Sequence, residues 1–189
     1  MKMKRIASVV LTGALVLSMG VAAFAATPSK TVADEVKAVA SVETTGFDRV
    51  EIKTEETEAT IAQSAAVVQE LAAAPAELNA AVGATKEEQV EITAVQTVTV
   101  AETPLFNRTT VTVTLSSAVV EAAYKENEEV AVVVMVPVVD KDGNVTYEKM
   151  VVTGVVKGGK VQVKLTGAQL KKIGKKSVTM VATKKTAKV

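Results

Sequence analysis

The feature that most constrains the fold is a period-two alternation of apolar residues that begins at Val90 and recurs as far as Ala182. Val98 and Val100 continue the first face, and Val111, Val113 and Leu115 form the next. This period predicts β-strands that each bury one side. Residues 130–139 are instead apolar throughout, which predicts a central strand covered on both faces. Residues 145–156, 161–165 and 178–182 bring the expected count to at least six strands.

Turn residues separate these strands at regular intervals. The residues 140–144, Asp-Lys-Asp-Gly-Asn, predict one hairpin, and Gly158-Gly159 predict another. Thr166 and Gln169 have the spacing of a capping box, so we expect one helical turn that buries its apolar residues and ends at Gly174. Strands of this length and number predict that residues 90–189 form an antiparallel, immunoglobulin-like β-sandwich, in a protein that is mainly β.

A change to a helical period marks residues 55–89. The spacing favours a helix with Thr54 as its N-cap and acidic residues in its first turn. Pro75 either ends this helix or starts a shorter one that stops at Gly83. The apolar stripe must be covered, so we expect it to pack on the sandwich. It consists of Ile61, Ala65, Val68, Leu71 and Ala72.

Residues 1–54 divide into two parts. Residues 1–25 have a basic start, an apolar stretch and the small-x-small sequence Ala23-Phe24-Ala25, which together predict a secretory signal peptide cleaved after Ala25. Residues 26–54 are polar, with short alternations that leave open whether they form edge strands or a tether. We therefore expect a mature chain that acts outside the cytoplasm without stable membrane insertion.

Two missing residue types exclude much enzyme chemistry. The sequence contains no His and no Cys, so Ser-His-Asp triads, Cys-His dyads and the common zinc sites are all impossible. Trp is also absent, and sugar-cleaving clefts usually offer aromatic faces. We predict a non-catalytic protein with no catalytic, cofactor-binding or metal-binding residues and no cofactor.

Two short sequences resemble ligand sites without matching them. Residues 154–161 imitate a phosphate-binding loop, but Val161 stands where a hydroxyl belongs, and a hairpin turn is favoured. Asp140, Asp142, Asn144 and Glu148 offer oxygen ligands, but Gly143 comes too early for an EF-hand, so a turn is favoured over a weak Ca²⁺ site.

Charge is distributed unevenly along the chain. The whole chain has net charge +1, and loss of Lys2, Lys4 and Arg5 leaves −2. Residues 149–189 contain eleven Lys and no Asp or Glu, so residues 26–148 carry −13. The favoured interpretation is the solvated faces of strands, and the alternative is an anionic polymer bound through Lys171, Lys172, Lys175 and Lys176. Nucleic acid is not expected, because no aromatic residue alternates with these lysines.

The Val-rich strand, the Asp-Gly-Asn hairpin and residues 158–163 give the last hundred residues a family resemblance. The chain resembles small secreted proteins of Gram-positive bacteria that carry a helical segment before a compact Ig-like β-sandwich. That resemblance implies a fold and an extracellular location, and it implies no activity.

Two functions remain after these exclusions. The first is a secreted or cell-surface structural or protein-interaction module, which binds an unknown protein or cell-surface partner. The alternative is a ligand-binding module for a glycan, a cation or an anionic wall polymer, which uses the Lys-rich C-terminal third.

Overall fold

The computed structural model of the protein describes residues 35–45 and 50–188, so the predicted signal peptide lies outside the described residues. Eight strands and four helices are present in this part of the chain. The strands are β1 (Val39–Thr45), β2 (Glu51–Lys53), β3 (Glu88–Glu102), β4 (Thr110–Ser116), β5 (Glu129–Val139), β6 (Val145–Lys157), β7 (Lys160–Thr166) and β8 (Ser177–Ala187). The helices are α1 (Glu58–Ala73), α2 (Pro75–Ala81), α3 (Ala118–Ala123) and α4 (Gly167–Ile173).

All eight strands belong to one sheet, in the order β1-β4-β7-β6-β5-β8-β3-β2. Every pair of neighbouring strands is antiparallel. The prediction of a mainly β protein is therefore confirmed. The immunoglobulin-like sandwich is not confirmed, because the strands are hydrogen-bonded continuously in a single sheet that is nearly closed into a barrel.

The residues before β1 bring the two ends of the sheet together. Lys37 forms an isolated parallel bridge with Val95, which lies in the middle of β3. The amide of Ala38 donates to the carbonyl of Val95 at 3.0 Å, and the amide of Val95 donates to the carbonyl of Val36 at 2.8 Å. These bonds explain the near closure, because they join the segment leading into β1, the first strand of the order, to β3, the last strand but one.

The main apolar core fills the space that the curved sheet encloses. Val98 and Val100 of β3 face it, together with alternate residues of the other long strands. Helix α4 closes one end by burying Leu170 and Ile173 in this core. Its predicted capping box is present, with Thr166 and Gln169 bonded to each other's backbone, and it ends at Gly174 as predicted. Helix α3 buries Val120 in the same core.

A second apolar core lies on the outer face of the sheet, under α1 and α2. Val67 and Leu71 of α1 pack there against Val133 and Met135 of β5 and Val181 of β8. The helices therefore cover the sheet, as expected. Strand β5 is confirmed as a central strand buried on both faces, because Val130, Val132, Val134 and Val136 lie in the main core.

The start and the buried face of α1 differ from the prediction. Thr57 is the N-cap, and its hydroxyl accepts from the amide of Thr60, so the prediction of Thr54 was wrong by one turn. Ile61 is 48% exposed, whereas Val67 and Thr60 are buried beside the expected Val68 and Leu71. The sheet selects this face because Ser64 and Gln63 hydrogen-bond to strand residues. Pro75 starts a second helix, and Gly83 follows it with a φ of 66°.

Candidate interaction surfaces

The glycine-rich sequence 154–161 forms a hairpin. Gly158 and Gly159 connect β6 to β7, and their φ angles of 57° and 70° are those of a type I′ turn. The amide of Gly158 donates to the carboxylate of Glu126 at 2.9 Å. A carboxylate from the protein therefore lies where a phosphate loop would need an anionic ligand, and β7 follows in place of a helix.

The acidic sequence 140–144 is also a turn. Oδ1 of Asp140 accepts from the amides of Asp142 and Asn144, both at 2.8 Å, and Oδ2 accepts from the Asn144 side chain at 2.9 Å. These hydrogen bonds hold the pKa of Asp140 below its usual range, and the bond from the Asn144 side chain has the largest effect. In the described part of the chain, no group of three or more acidic side chains is arranged to hold a metal ion.

Tyr124, which follows α3, has a buried hydroxyl group, and the ammonium of Lys184 lies near its ring. Its hydroxyl lies 2.7 Å from the hydroxyl of Thr93, which also donates to the carbonyl of Ala182 at 3.1 Å. The ammonium of Lys184 lies 5.3 Å from the centre of the Tyr124 ring and donates to the carbonyl of Ala123. Burial raises the pKa of Tyr124 far above its usual range, so the phenol stays protonated and holds α3 to the sheet.

Hydroxyl groups join α1 to the sheet beneath it. Ser64 and Thr97 lie 2.7 Å apart, and Thr97 lies 2.8 Å from Thr179. The side-chain amide of Gln63 donates to the backbone carbonyl of Ser177 at 2.9 Å. Across the described residues, every buried side-chain nitrogen or oxygen has a hydrogen-bond partner. This network is therefore a structural contact rather than a ligand site.

One long strand has a free edge. β6 pairs with β5 along its length, but the register with β7 includes only Gly154–Lys157. The eight residues of β6 before Thr153 therefore have a strand neighbour on one side only, within residues 35–45 and 50–188. We call this stretch, residues 145–152, the β6 edge.

The backbone groups of the β6 edge have a defined direction. At one end of the hairpin the amide of Asp140 donates to the carbonyl of Asn144, and at the other the amide of Val156 donates to the carbonyl of Glu128. The register between these two points is unbroken, so the even-numbered residues of β6 bond to β5. The amides and carbonyls of the odd-numbered residues point away from β5. These residues are Val145, Tyr147, Lys149 and Val151.

The predicted lysine cluster lies at the end of the sheet that α4 closes. We call this region the α4 end; it comprises the loop 103–109, the turn 140–144, α4 and residues 174–176. Lys171 donates to the carbonyl of Leu105 at 2.6 Å and to the side chain of Asn107 at 2.9 Å. Lys176 donates to the carbonyl of Pro137 at 3.1 Å. Lys172 and Lys175 are exposed.

The remaining lysines of the C-terminal third do not extend this cluster. Lys185 and Lys188 donate to the carbonyls of Gly83 and Lys86, both at 2.8 Å, near the opposite end of the sheet. The β6–β7 hairpin carries Lys157 and Lys160 to that end as well. Eight of the eleven lysines therefore lie at one or the other of these two ends, and the lysines do not form one basic surface.

Two residues of the α4 end were missed by sequence reasoning. Leu105 and Phe106 are 78% and 67% exposed, in a loop where the sequence indicates only a connection. The available signal was their position between Pro104 and Asn107, since apolar residues bounded by turn formers are placed in a loop rather than in a core. They adjoin the lysines that the charge pattern singled out.

The fold and surfaces define a nearly closed antiparallel β-sheet with two helices on one outer face, a free strand edge and an end that is both basic and apolar. Comparison of the chain with protein-family models, with curated proteins and with solved structures finds no match. Among the residues described, no helix has the length and the apolar character that crossing a membrane requires.

Proposed function

We propose that the chain is a secreted, non-catalytic interaction protein that binds an extended segment of a partner protein along the β6 edge. The observation that carries the proposal is the one-sided pairing of residues 145–152. An extended peptide adds to such an edge by main-chain hydrogen bonds, and its alternate side chains supply specificity.

The composition of the β6 edge supports strand addition. Val145, Tyr147 and Val151 are residue types that favour strands. Edges are commonly protected by an outward lysine. Here the ammonium of Lys149 bonds to the carboxylate of Glu77 in α2 at 2.6 Å, so it is drawn toward the helices and away from the edge. This ion pair also lowers the pKa of Glu77, and the hydrogen bond from Lys149 is the largest cause.

Other observations support the location and the absence of catalysis. The basic start, apolar stretch and Ala23-Phe24-Ala25 site favour secretion. The sequence has no His and no Cys, which removes the usual nucleophile-base pairs of secreted hydrolases. An edge that recognises backbone groups needs neither residue, so an interaction module is compatible with this composition.

The test uses the substitution Val151→Pro. The Val151 amide points away from β5, so proline removes a donor that a bound strand would use while the β5–β6 ladder remains. Val151→Thr is the matched control, because it keeps the amide and the β-branched shape. We expect both variants to unfold cooperatively, and we expect cell-surface proteins retained by the wild type and by Val151→Thr to be lost from Val151→Pro.

Ionic strength separates this proposal from its alternative. Binding through main-chain hydrogen bonds should persist when salt rises above about 0.15 M, where the screening length is about 8 Å. Retention by Val151→Pro equal to that of the wild type would exclude the β6 edge. If high salt also abolished that retention, the ligand-binding module for an anionic wall polymer would replace the present proposal.

A further inference from the structure

The α4 end concentrates the exposed apolar side chains of the protein. Four of the seven large apolar residues that are exposed in the described chain lie there or directly beside it. Leu105 and Phe106 form the tip of one loop, and Val139 and Val145 flank the turn between β5 and β6. These residues lie at the same end because β5 ends, and β6 and β8 begin, on that side of the sheet.

The loop that carries Leu105 and Phe106 is fixed to α4. The ammonium of Lys171 donates to the carbonyl of Leu105 at 2.6 Å, and the amide of Gly167 donates to the carbonyl of Thr109 at 2.7 Å. The approach is so close that a Cβ atom on Gly167 would lie 2.4 Å from the carbonyl oxygen of Phe106. The two apolar side chains are therefore held outward by the fold, which reduces the entropy cost of ordering them when they bind.

Positive charge surrounds this apolar tip. Arg108, Lys141, Lys172 and Lys175 are exposed at the same end, together with Lys171 and Lys176. Carboxylates at this end include Glu102, Asp142 and Asp140, and the oxygens of Asp140 accept hydrogen bonds within their own turn. Glu51, which pairs with Glu102 in the sheet, lies 3.5 Å from Lys53. The surface is therefore net positive.

We propose that the α4 end binds the surface of an anionic lipid bilayer, as a second surface that adjoins the β6 edge at Val145. Basic residues are attracted to anionic headgroups, and exposed Leu and Phe side chains enter the boundary between headgroups and acyl chains. The combination favours a membrane over a soluble anionic polymer, because a polymer offers the lysines a counter-charge but offers Leu105 and Phe106 no apolar phase.

The experiment measures co-sedimentation of residues 26–189 with vesicles that contain phosphatidylglycerol, and with vesicles of phosphatidylcholine alone. This segment lacks the apolar stretch 6–21 but keeps every residue of both cores. We expect binding to the anionic vesicles only. The double variant Leu105→Ala/Phe106→Ala should weaken that binding about tenfold or more, because two large apolar side chains no longer enter the interface.

The matched controls move the same changes to other positions. Val39→Ala removes an exposed apolar side chain at the opposite end of the sheet, where Val39 pairs with Ser116 of β4, and we expect it to change binding less than about twofold. Lys172→Glu/Lys175→Glu should weaken binding about tenfold or more, because each lysine near an anionic surface contributes to attraction. Lys157→Glu/Lys160→Glu changes the net charge equally, at the opposite end, and should have a much smaller effect.

Three outcomes would overturn the proposal. One is that the wild type fails to sediment with anionic vesicles. Another is that both lysine pairs weaken binding equally, which would indicate attraction without orientation. The third is that Leu105→Ala/Phe106→Ala binds like the wild type while soluble polyglutamate competes fully, which would identify the surface as a polymer site. The thermal unfolding midpoint of each variant distinguishes lost binding from lost folding.

Discussion

The amide of Ala38 lies 3.0 Å from the carbonyl oxygen of Val95, and this hydrogen bond joins the residues before β1 to the middle of β3. Ala38 is 1% exposed and belongs to the main core. One short contact thus joins the segment before the first strand of the sheet order to β3, the last strand but one.

The closure makes a prediction about hydrogen exchange. The amide of Val95 faces the segment before β1 rather than β8, and it bonds to the carbonyl of Val36 at 2.8 Å. We expect the Val95 and Ala38 amides to exchange slowly, at rates near those of β5 amides, because they open only with the sheet. The measurement is exchange followed by NMR. Exchange as fast as that of the turn 140–144 would mean that the sheet is open at this seam.

The first turn of α1 predicts which threonine stabilises the helix. Thr57→Ala should lower the free energy of unfolding by about 1 kcal/mol, because the Thr57 hydroxyl accepts from the amide of Thr60. Thr54→Ala, the control at the position that the sequence alone favours, should change it by less than about 0.5 kcal/mol. Urea unfolding measures both. A larger effect at Thr54 would place the helix start one turn earlier.

The face that α1 buries predicts a contrast between two of its apolar residues. Leu71→Ala should cost about 2–5 kcal/mol, because it opens a cavity in the core between helix and sheet. Ile61→Ala should cost less than about 1 kcal/mol, since Ile61 is 48% exposed and belongs to neither core. Chemical denaturation of the two variants is the measurement, and equal losses would contradict the observed orientation of the helix.

Buried Tyr124 predicts a loss of stability in alkali. Its pKa is raised in the folded protein, mainly by burial, relative to an unfolded value of about 10. The stabilisation from its neutral phenol is therefore complete below that value and is lost as pH rises through the folded pKa. We expect the stability difference between the wild type and Tyr124→Phe to shrink as pH rises above about 10.

The same titration has a spectroscopic control. Tyr147→Phe leaves Tyr124 as the single tyrosine of the chain, so phenolate absorbance reports that residue alone. The phenolate should appear only as circular dichroism shows unfolding. Ionisation at an ordinary tyrosine pKa in a folded chain would contradict the burial of this hydroxyl.

The close approach of α4 to the loop 103–109 predicts the effect of one added methyl group. Gly167→Ala should lower the free energy of unfolding by about 1–3 kcal/mol, because its Cβ would meet the backbone of Phe106 and Asn107 and the loop would have to shift. Ala168→Gly, at an exposed neighbouring position, is the control. If Gly167→Ala were neutral by thermal unfolding, the loop would not be packed as described.

The sequence predicted local features better than their partners. The apolar run in β5, the Gly158-Gly159 turn and the Thr166–Gln169 capping box depend on residues close in the chain, and each was correct. The period-two pattern defines which face a strand buries but not which strand lies beside it. A sandwich and a nearly closed sheet therefore share one pattern, and the bonds of Val36 and Ala38 to Val95 distinguish them.

The candidate surfaces were less accessible to sequence reasoning for the same reason. The cluster of Lys171, Lys172, Lys175 and Lys176 was visible as a charge run, but its proximity to Leu105 depends on a contact across 66 residues. The β6 edge depends on where β7 separates from β6, which no local pattern encodes. The buried face of α1 was predicted incorrectly because Thr60 is a polar residue type, which the sequence pattern does not count as buried. In the structure Thr60 is buried, and its amide donates to the hydroxyl of the N-cap Thr57.

The hydroxyl groups between α1 and the sheet have a consequence for how uniquely the chain folds. If only apolar contacts held it, an alanine-rich helix could pack at several positions along a valine-rich sheet with similar free energy, because one small side chain would replace another. The pairing of Ser64 with Thr97 and of Gln63 with the Ser177 carbonyl is satisfied at a single position of the helix. At any other position of the helix, these polar side chains would be buried without hydrogen-bond partners. The hydrogen bonds of these polar side chains therefore select one position of α1 on the sheet among several that would bury similar apolar surface.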